Sequence, residues 1–203
     1  MAVWKPCRSP GSSFIRPALF LDRDGVVIMD RDYLSDPDQV ELLPGVPETM
    51  KAAAAAGYLL IGISNQSGLG RGMFTIREFT AVMNRLDDLL AQSGTGFDGF
   101  YYCPHSPEDG CECRKPKAGL LAEAGETCSW NAAASWVVGD KTSDVALGRG
   151  CEMGSVLVRT GHGAAHEREV GQLWENDPKV LIAEDLPAAF AAVRRAQQQG
   201  PDQ

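Results

Sequence analysis

Nowhere in its 203 residues does this chain carry an apolar run approaching the ~20 residues that a membrane-crossing helix needs. The longest, Ala52 to Ile63, reads as the end of a helix followed by a strand. A basic surplus is missing too. With 19 Lys plus Arg against 27 Asp plus Glu, the formal charge is −8, which argues against general binding to nucleic acid or an anionic membrane. Residues 1–16 hold two Pro, two Arg and one Lys but no apolar core of the kind a secretory signal has, so a cytoplasmic protein is expected. Hydrophobic residues at 44% and charged residues at 23% exclude wholesale disorder. Six cysteines could mean a disulfide framework, but a chain this long can bury a core without staples, and three of the six crowd into residues 103–113. The thiols are therefore expected to be reduced or to hold a metal.

What is present alternates. Short apolar runs occur at Ala18–Leu21, Tyr58–Ile63, Gly99–Tyr102, Trp136–Val138 and Ser155–Val158, with a weaker one at Lys179–Ile182. Their hydrophobicity is nearly continuous, as in strands covered on both faces. Helical patterns lie between them at Pro44–Ala56, Thr75–Gln92, Lys117–Glu126, Ser143–Gly150 and Leu186–Gln197. The second opens on a capping-box pair, Thr75 and Glu78, and sets Phe79, Val82, Leu86 and Leu89 on one stripe. Strands alternating with helices predict an α/β fold, a Rossmann-like parallel sheet with helices on both faces. Residues 1–16 lack either period and are expected to form a flexible extension, leaving residues 17–203 as one domain.

In an open parallel sheet, ligands bind at the carboxyl ends of the strands. Here those ends are polar. The first strand runs into Asp22-Arg23-Asp24-Gly25, the second into Ser64-Asn65-Gln66-Ser67, and a later one into Gly139-Asp140-Lys141. Asp22 and Asp24 are two positions apart, and acids so close are readily ionised together only beside a cation. Mg²⁺ suits them, since it takes one or two carboxylates together with phosphate oxygens and water. Asp140, from another strand, would add a ligand. Acids at strand ends can also simply cap turns, but that account fits one such residue better than three converging segments.

Between Cys103 and Cys113 neither period holds. Cys103, His105, Cys111 and Cys113 offer three sulfurs and one imidazole, a closed set that suits structural zinc. Four protein ligands leave no open position for catalysis. The expected role is to fix the loop and aim Arg114 and Lys115 at a bound ligand. Cys7, Cys128 and Cys151 show no partner pattern, and His162 and His166 read as solvated. Gly68-Leu69-Gly70-Arg71-Gly72 lacks the Lys-Ser/Thr of a P-loop, so its glycines read as flexible residues bringing Arg71 near the rim.

Phe20-Leu21-Asp22-Arg23-Asp24-Gly25 resembles the DxDG nucleophile motif of the haloacid-dehalogenase-like (HAD-like) phosphatases. Ser64-Asn65 is similar to their second motif, Lys115 to the third, and Gly139-Asp140-Lys141-Thr142-Ser143-Asp144 to the fourth. Over residues 18–160 the resemblance implies Asp22 as nucleophile, Asp24 as general acid and base, and Ser64 and Lys115 as catalytic partners of the phosphoryl oxygens. It implies Mg²⁺ on Asp22, the Asp24 carbonyl and Asp140, with Asp144 orienting rather than ligating. No segment is large enough to be a mobile cap.

The pattern Cys103-x-His105…Cys111-x-Cys113-Arg114-Lys115-Pro116 resembles both the D-glycero-D-manno-heptose 1,7-bisphosphate 7-phosphatase family and histidinol-phosphate phosphatase, and the stretches 64–72 with Phe74-Thr75 and Tyr101–His105 tilt the resemblance to the first. By that resemblance Asp22, Arg23, Asp24, Asp30, Arg31, Asp32, Tyr33, Ser64, Asn65, Gln66, Ser67, Arg114, Lys115 and Lys141 bind a phosphorylated sugar in a monomer. A zinc-dependent nucleic-acid module would need basic and aromatic residues around the metal loop. The loop instead reads Ser106-Pro107-Glu108-Asp109-Gly110.

Overall fold

The computed structural model describes residues 2–7 and 15–198. A seven-stranded sheet runs through it in the order β1-β4-β3-β2-β5-β6-β7. The strands are β1 (Ala2–Lys5), β2 (Ala18–Leu21), β3 (Leu59–Asn65), β4 (Gly99–Cys103), β5 (Trp136–Gly139), β6 (Gly154–Val158) and β7 (Val180–Ala183). From β2 to β7 all pairings are parallel, and only β1 runs antiparallel, along β4. The helices are α1 (Val46–Ala55), α2 (Ser67–Gly70), α3 (Ile76–Gln92), α4 (Gly119–Gly125), α5 (Thr142–Gly150), α6 (Gly163–Leu173) and α7 (Leu186–Gln198). This is the Rossmann-like α/β architecture the alternating pattern predicts.

Period-two alternation splits the strand residues between two hydrophobic layers. Leu19, Leu21, Leu60, Phe100, Tyr102, Trp136 and Val138 face α1, α3 and α7, while Ala18, Phe20, Ile61, Ile63, Tyr101 and Val137 face α4 and its surroundings. Burial on both faces explains why the strands read as continuous apolar runs. Gly62 breaks the run because the Phe100 ring occupies the place of its Cβ, only 2.0 Å away. In α3 the capping box forms: the Thr75 hydroxyl accepts from the Glu78 N–H and the Glu78 carboxylate accepts from the Thr75 N–H. Its buried stripe is Phe79, Val82, Met83, Leu86 and Leu90, so Leu90 rather than the predicted Leu89 is fully covered.

The amino-terminal segment corrects the expectation of a loose extension. Ala2–Lys5 alternate half-buried and exposed along the edge of β4. Trp4 packs edge-on against Phe79 and donates its indole N–H to Asp87. Edge pairing and one aromatic anchor order a segment whose own pattern is too short to read. Cys7 is joined to Cys128 by a disulfide across 121 residues, a separation that leaves no spacing signal and that departs from the expectation of reduced or metal-bound thiols. Residues 8–14 of the predicted extension lie outside the described residues. No helix among the described residues is long and apolar enough to cross a membrane.

From β2 the chain steps outward to β3 and β4, then returns to β5 and steps the other way to β6 and β7. The crevice at that reversal, outside the carboxyl ends of β2, β3 and β5, is where such a sheet can hold a ligand.

Candidate active site

A cavity of about 490 Å³ opens at that reversal. Its floor is a knot of buried charge. Lys115 Nζ lies 2.9 Å from Asp22 Oδ2 and 2.6 Å from Asp144 Oδ1, and donates to the Ile63 carbonyl at 2.9 Å. Burial pulls the lysine toward neutrality, but the charges of Asp144 and Asp22 and their hydrogen bonds outweigh it and hold its pKa well above the ordinary value. Burial likewise pushes Asp22 up. The Lys115 and Lys141 charges, and hydrogen bonds from Lys115 and the Arg23 N–H, more than offset that and leave Asp22 below the ordinary carboxylate value. Asp22 is therefore an ionised carboxylate with almost no contact with bulk water.

Lys115 is held by a side chain from the neighbouring strand. The Asn65 amide accepts from the Lys115 N–H at 3.0 Å and donates to the Lys115 carbonyl at 3.2 Å. Ser64 Oγ accepts from Gln66 Nε2 at 2.9 Å, which keeps the hydroxyl proton available to a ligand. Asp24 takes the Arg23 guanidinium on both oxygens and Gln66 Nε2 at 2.8 Å. Arg23 itself is buried against the Phe79 ring and the Met83 sulfur. Its side chain thus serves Asp24, although the residue lines the cavity.

Asp140 is fully buried between Gly25 and Gly161, where a Cβ at either glycine would come within 2.6 or 2.3 Å of Asp140 Oδ2. Both glycines have positive φ, so the close approach and the backbone shape demand the same residue. Oδ2 accepts from the His162 N–H at 2.8 Å, while Oδ1 is buried without a hydrogen-bond donor, 3.4 Å from Lys141 Nζ. Burial, together with the Asp22 charge, pushes Asp140 up to about 6. Burial also raises Asp144. Oxygens of Asp22, Asp140 and Asp144 lie within 4.8 Å of one another, and an orphaned carboxylate oxygen among them fits a hard cation.

Beside this rim, ligand atoms of Cys103, His105, Cys111 and Cys113 also converge within 4.8 Å. Cys103 Sγ is 3.5 Å from Cys111 Sγ, Cys111 Sγ is 3.6 Å from Cys113 Sγ, and His105 Nδ1 is 3.2 Å from Cys113 Sγ. Sulfurs at about 2.3 Å from one tetrahedral zinc would stand about 3.8 Å apart, so the donor set and its spacing fit zinc. Without an ion, burial pushes the Cys103 thiol up to about 12. The loop is packed closely: a Cβ on Gly70 would meet the Ser106 nitrogen at 2.6 Å, and one on Gly119 the Glu112 carbonyl at 2.4 Å.

A family model described as HAD-hydrolase-like matches residues 112–189. The D-glycero-beta-D-manno-heptose-1,7-bisphosphate 7-phosphatase of Yersinia pestis is 38% identical over 184 residues, covering 87% of this chain and 96% of that protein. The Escherichia coli K12 protein of the same name is 38% identical over 166 residues, covering 78% and 87%. The chain belongs to this heptose bisphosphate phosphatase family of HAD-like hydrolases. Among solved structures, the D,D-heptose 1,7-bisphosphate phosphatase of B. bronchiseptica, complexed with magnesium and phosphate, aligns with a TM-score of 0.77 at 31% identity, covering 88% of this chain and 98% of that one.

For this family member, the structure gathers most of the residues the sequence points to around one cavity. Asp22, Arg23, Asp24, Asp30, Asp32, Tyr33, Ser64, Asn65, Gln66, Ser67, Arg114, Lys115 and Lys141 line it, and Asp140 sits just beneath. Arg114 is buried at one nitrogen without a hydrogen-bond partner among the described residues, which leaves it available to an anion. Arg31 is not brought in. Its guanidinium turns outward and pairs with Glu41 at 2.8 Å instead. Asp32 and Tyr33 in that turn have φ of 44° and 58°, a left-handed conformation that costs about 1–3 kcal/mol per non-glycine residue and persists only where neighbours hold it.

The glycines at 68 and 70 serve close packing rather than flexibility. Cβ atoms there would strike the Phe74 and Tyr33 rings and the cysteine loop. Sequence reasoning missed Leu34, Gly68, Phe74, Ser143 and His162 as cavity residues. For His162 a signal existed: Thr160-Gly161-His162 follows β6 as the other polar segments follow β2, β3 and β5.

Proposed function

We propose that this protein hydrolyses the 7-phosphate of D-glycero-beta-D-manno-heptose 1,7-bisphosphate with Mg²⁺. The substrate choice follows the names of the relatives above, and the histidinol-phosphate alternative is not carried forward. The observation that carries the chemistry is a buried, ionised Asp22 beside Lys115 on the cavity floor.

In this reading Asp22 attacks phosphorus in line, forming an aspartyl-phosphate while the bond to the sugar oxygen breaks. Asp24, held by Arg23 and Gln66, gives its proton to the leaving oxygen and then takes one from the hydrolytic water. That water attacks phosphorus, releasing inorganic phosphate and restoring Asp22. Ser64, Asn65 and Lys115 neutralise and orient the phosphoryl oxygens. Asp22, the Asp24 carbonyl and Asp140 would hold Mg²⁺, which would supply positive charge to offset the negative charge of the phosphoryl group. Arg114, Lys141 and the 30–33 turn are assigned to the rest of the substrate.

Zinc held by Cys103, His105, Cys111 and Cys113 would have a structural role, fixing the strand-to-loop path that leads into Arg114 and Lys115. The polar cavity supports action on a small phosphorylated sugar, and the acidic balance disfavours nucleic-acid or anionic-membrane partners. The test is phosphate release from the heptose bisphosphate and from histidinol phosphate, each with Mg²⁺. A preference for the heptose ester is expected, and a preference for histidinol phosphate would overturn the substrate assignment while leaving the Asp22 chemistry standing.

A further inference from the structure

The 30–33 turn lines the cavity, and it is contacted by two side chains to which no role has been given. His162, from the loop between β6 and α6, sets Nε2 3.0 Å from Asp30 Oδ2. At that distance the imidazole edge is in direct polar contact with the carboxylate. The other oxygen of Asp30 accepts from the Asp32 N–H at 3.0 Å, closing the turn. Arg71, at the end of α2, donates to the Tyr33 hydroxyl at 3.3 Å and reaches Glu108 in the cysteine loop at 3.5 Å. The Tyr33 ring lies over Gly68, where a Cβ would approach it to 2.8 Å. Asp32 and Tyr33 both keep left-handed backbone, so the turn depends on these outside contacts for its shape.

We infer that His162 and Arg71 are a pair of positioning residues that clamp the 30–33 turn and so set how well the cavity recognises the part of the substrate remote from the scissile phosphate. The clamp links three separate loops around one mouth, from His162 through Asp30 and Tyr33 to Arg71 and the cysteine loop. Both residues are partly exposed, and neither makes a hydrogen bond through its side chain to Asp22, Asp24 or Lys115. Their influence should therefore fall on recognition more than on phosphoryl transfer. This inference rests on the proposed reading for its substrate, but its structural half does not.

The experiment pairs two readouts on the full chain. In the first, kcat/KM is measured for the heptose bisphosphate and for p-nitrophenyl phosphate, a monoester that lacks the remote part. His162→Ala is expected to lower the ratio of the two by about tenfold, mainly through KM, as loss of one charge-assisted contact would. His162→Gln, which keeps an N–H of similar reach, is expected to restore most of it. In the second readout, backbone hydrogen exchange of residues 29–34 should accelerate in His162→Ala and in Arg71→Ala, and return toward normal in His162→Gln. An equal fall for both esters would mean that His162 acts on the phosphoryl centre, and would overturn the inference. Unchanged exchange at the turn would overturn it whatever the substrate. If the protein ignores the heptose ester yet the exchange prediction holds, the substrate assignment fails and the clamp stands.

Discussion

The two donor clusters differ in how they are built and in what holds their charge. The carboxylates arrive from strand ends more than a hundred residues apart, and protein cations meet them: Lys115 touches both Asp22 and Asp144, and Lys141 stands near Asp140. The cysteine cluster comes from eleven consecutive positions and sets sulfur beside sulfur with one imidazole. A site neutralised by its own lysines can keep its shape before a metal arrives. A cluster of thiols, one pushed up to about 12 by burial, has no buried ion pair of that kind and depends on an ion to become a compact anionic cage. Removing a metal should therefore silence the first site and loosen the second.

The largest effect should come from Asp22→Asn, which removes the proposed nucleophile but keeps its shape. Phosphate release is expected to fall by about 10⁴-fold or more with melting temperature nearly unchanged, and turnover near the parent rate would break the mechanism. Next is Lys115→Met, which strands Asp22 and Asp144 in the interior. Leaving buried charge unpaired costs about 3–5 kcal/mol, visible in chemical denaturation, and activity should vanish with it. A wild-type-like denaturation midpoint would show that the lysine is not what neutralises the floor.

Stripping zinc, or making Cys111→Ser, should lower stability by about 3 kcal/mol, roughly 6–12 °C in melting temperature for a chain of this size. Magnesium removal should shift melting far less. Equal shifts would erase the contrast between the clusters. The smallest effect concerns acidity. Without an ion, Asp140 sits at about 6, so a proton competes with Mg²⁺ below that pH but not above it. Calorimetric Mg²⁺ affinity should be flat from pH 7 to 8 and weaken by up to about tenfold per unit as pH falls below about 6.

How much of this could be read from the chain follows the same contrast. The buried strands were legible because continuous Val, Leu and Ile runs have few other uses, and their polar ends then marked Asp22, Ser64 and Asp140 together. The cysteine loop was legible because its ligands are close in sequence. β1 was not, since four alternating residues beside Pro6 carry no pattern until β4 supplies a partner. Nor was α6, whose Gly163 start lacks a side-chain cap and whose buried residues are only Gly163 and Val170. Arg31 misled because a sequence match places a residue in a turn without saying which way it points. His162 was passed over for the converse reason, since an exposed histidine in a polar loop looks ordinary until Asp30 is found beside it.

One modest side chain carries more than its size suggests. Because Asn65 grips both the amide hydrogen and the carbonyl of Lys115, the turn holding that lysine is tied to the end of β3 as if by an extra rung, in which a carboxamide imitates a length of peptide. Aspartate in its place would match the shape, keep one half of that rung, and set oxygen against oxygen in the other. The ammonium group lodged among Asp22, Asp144 and Ile63 would then lose its footing through a change of a single atom one strand away.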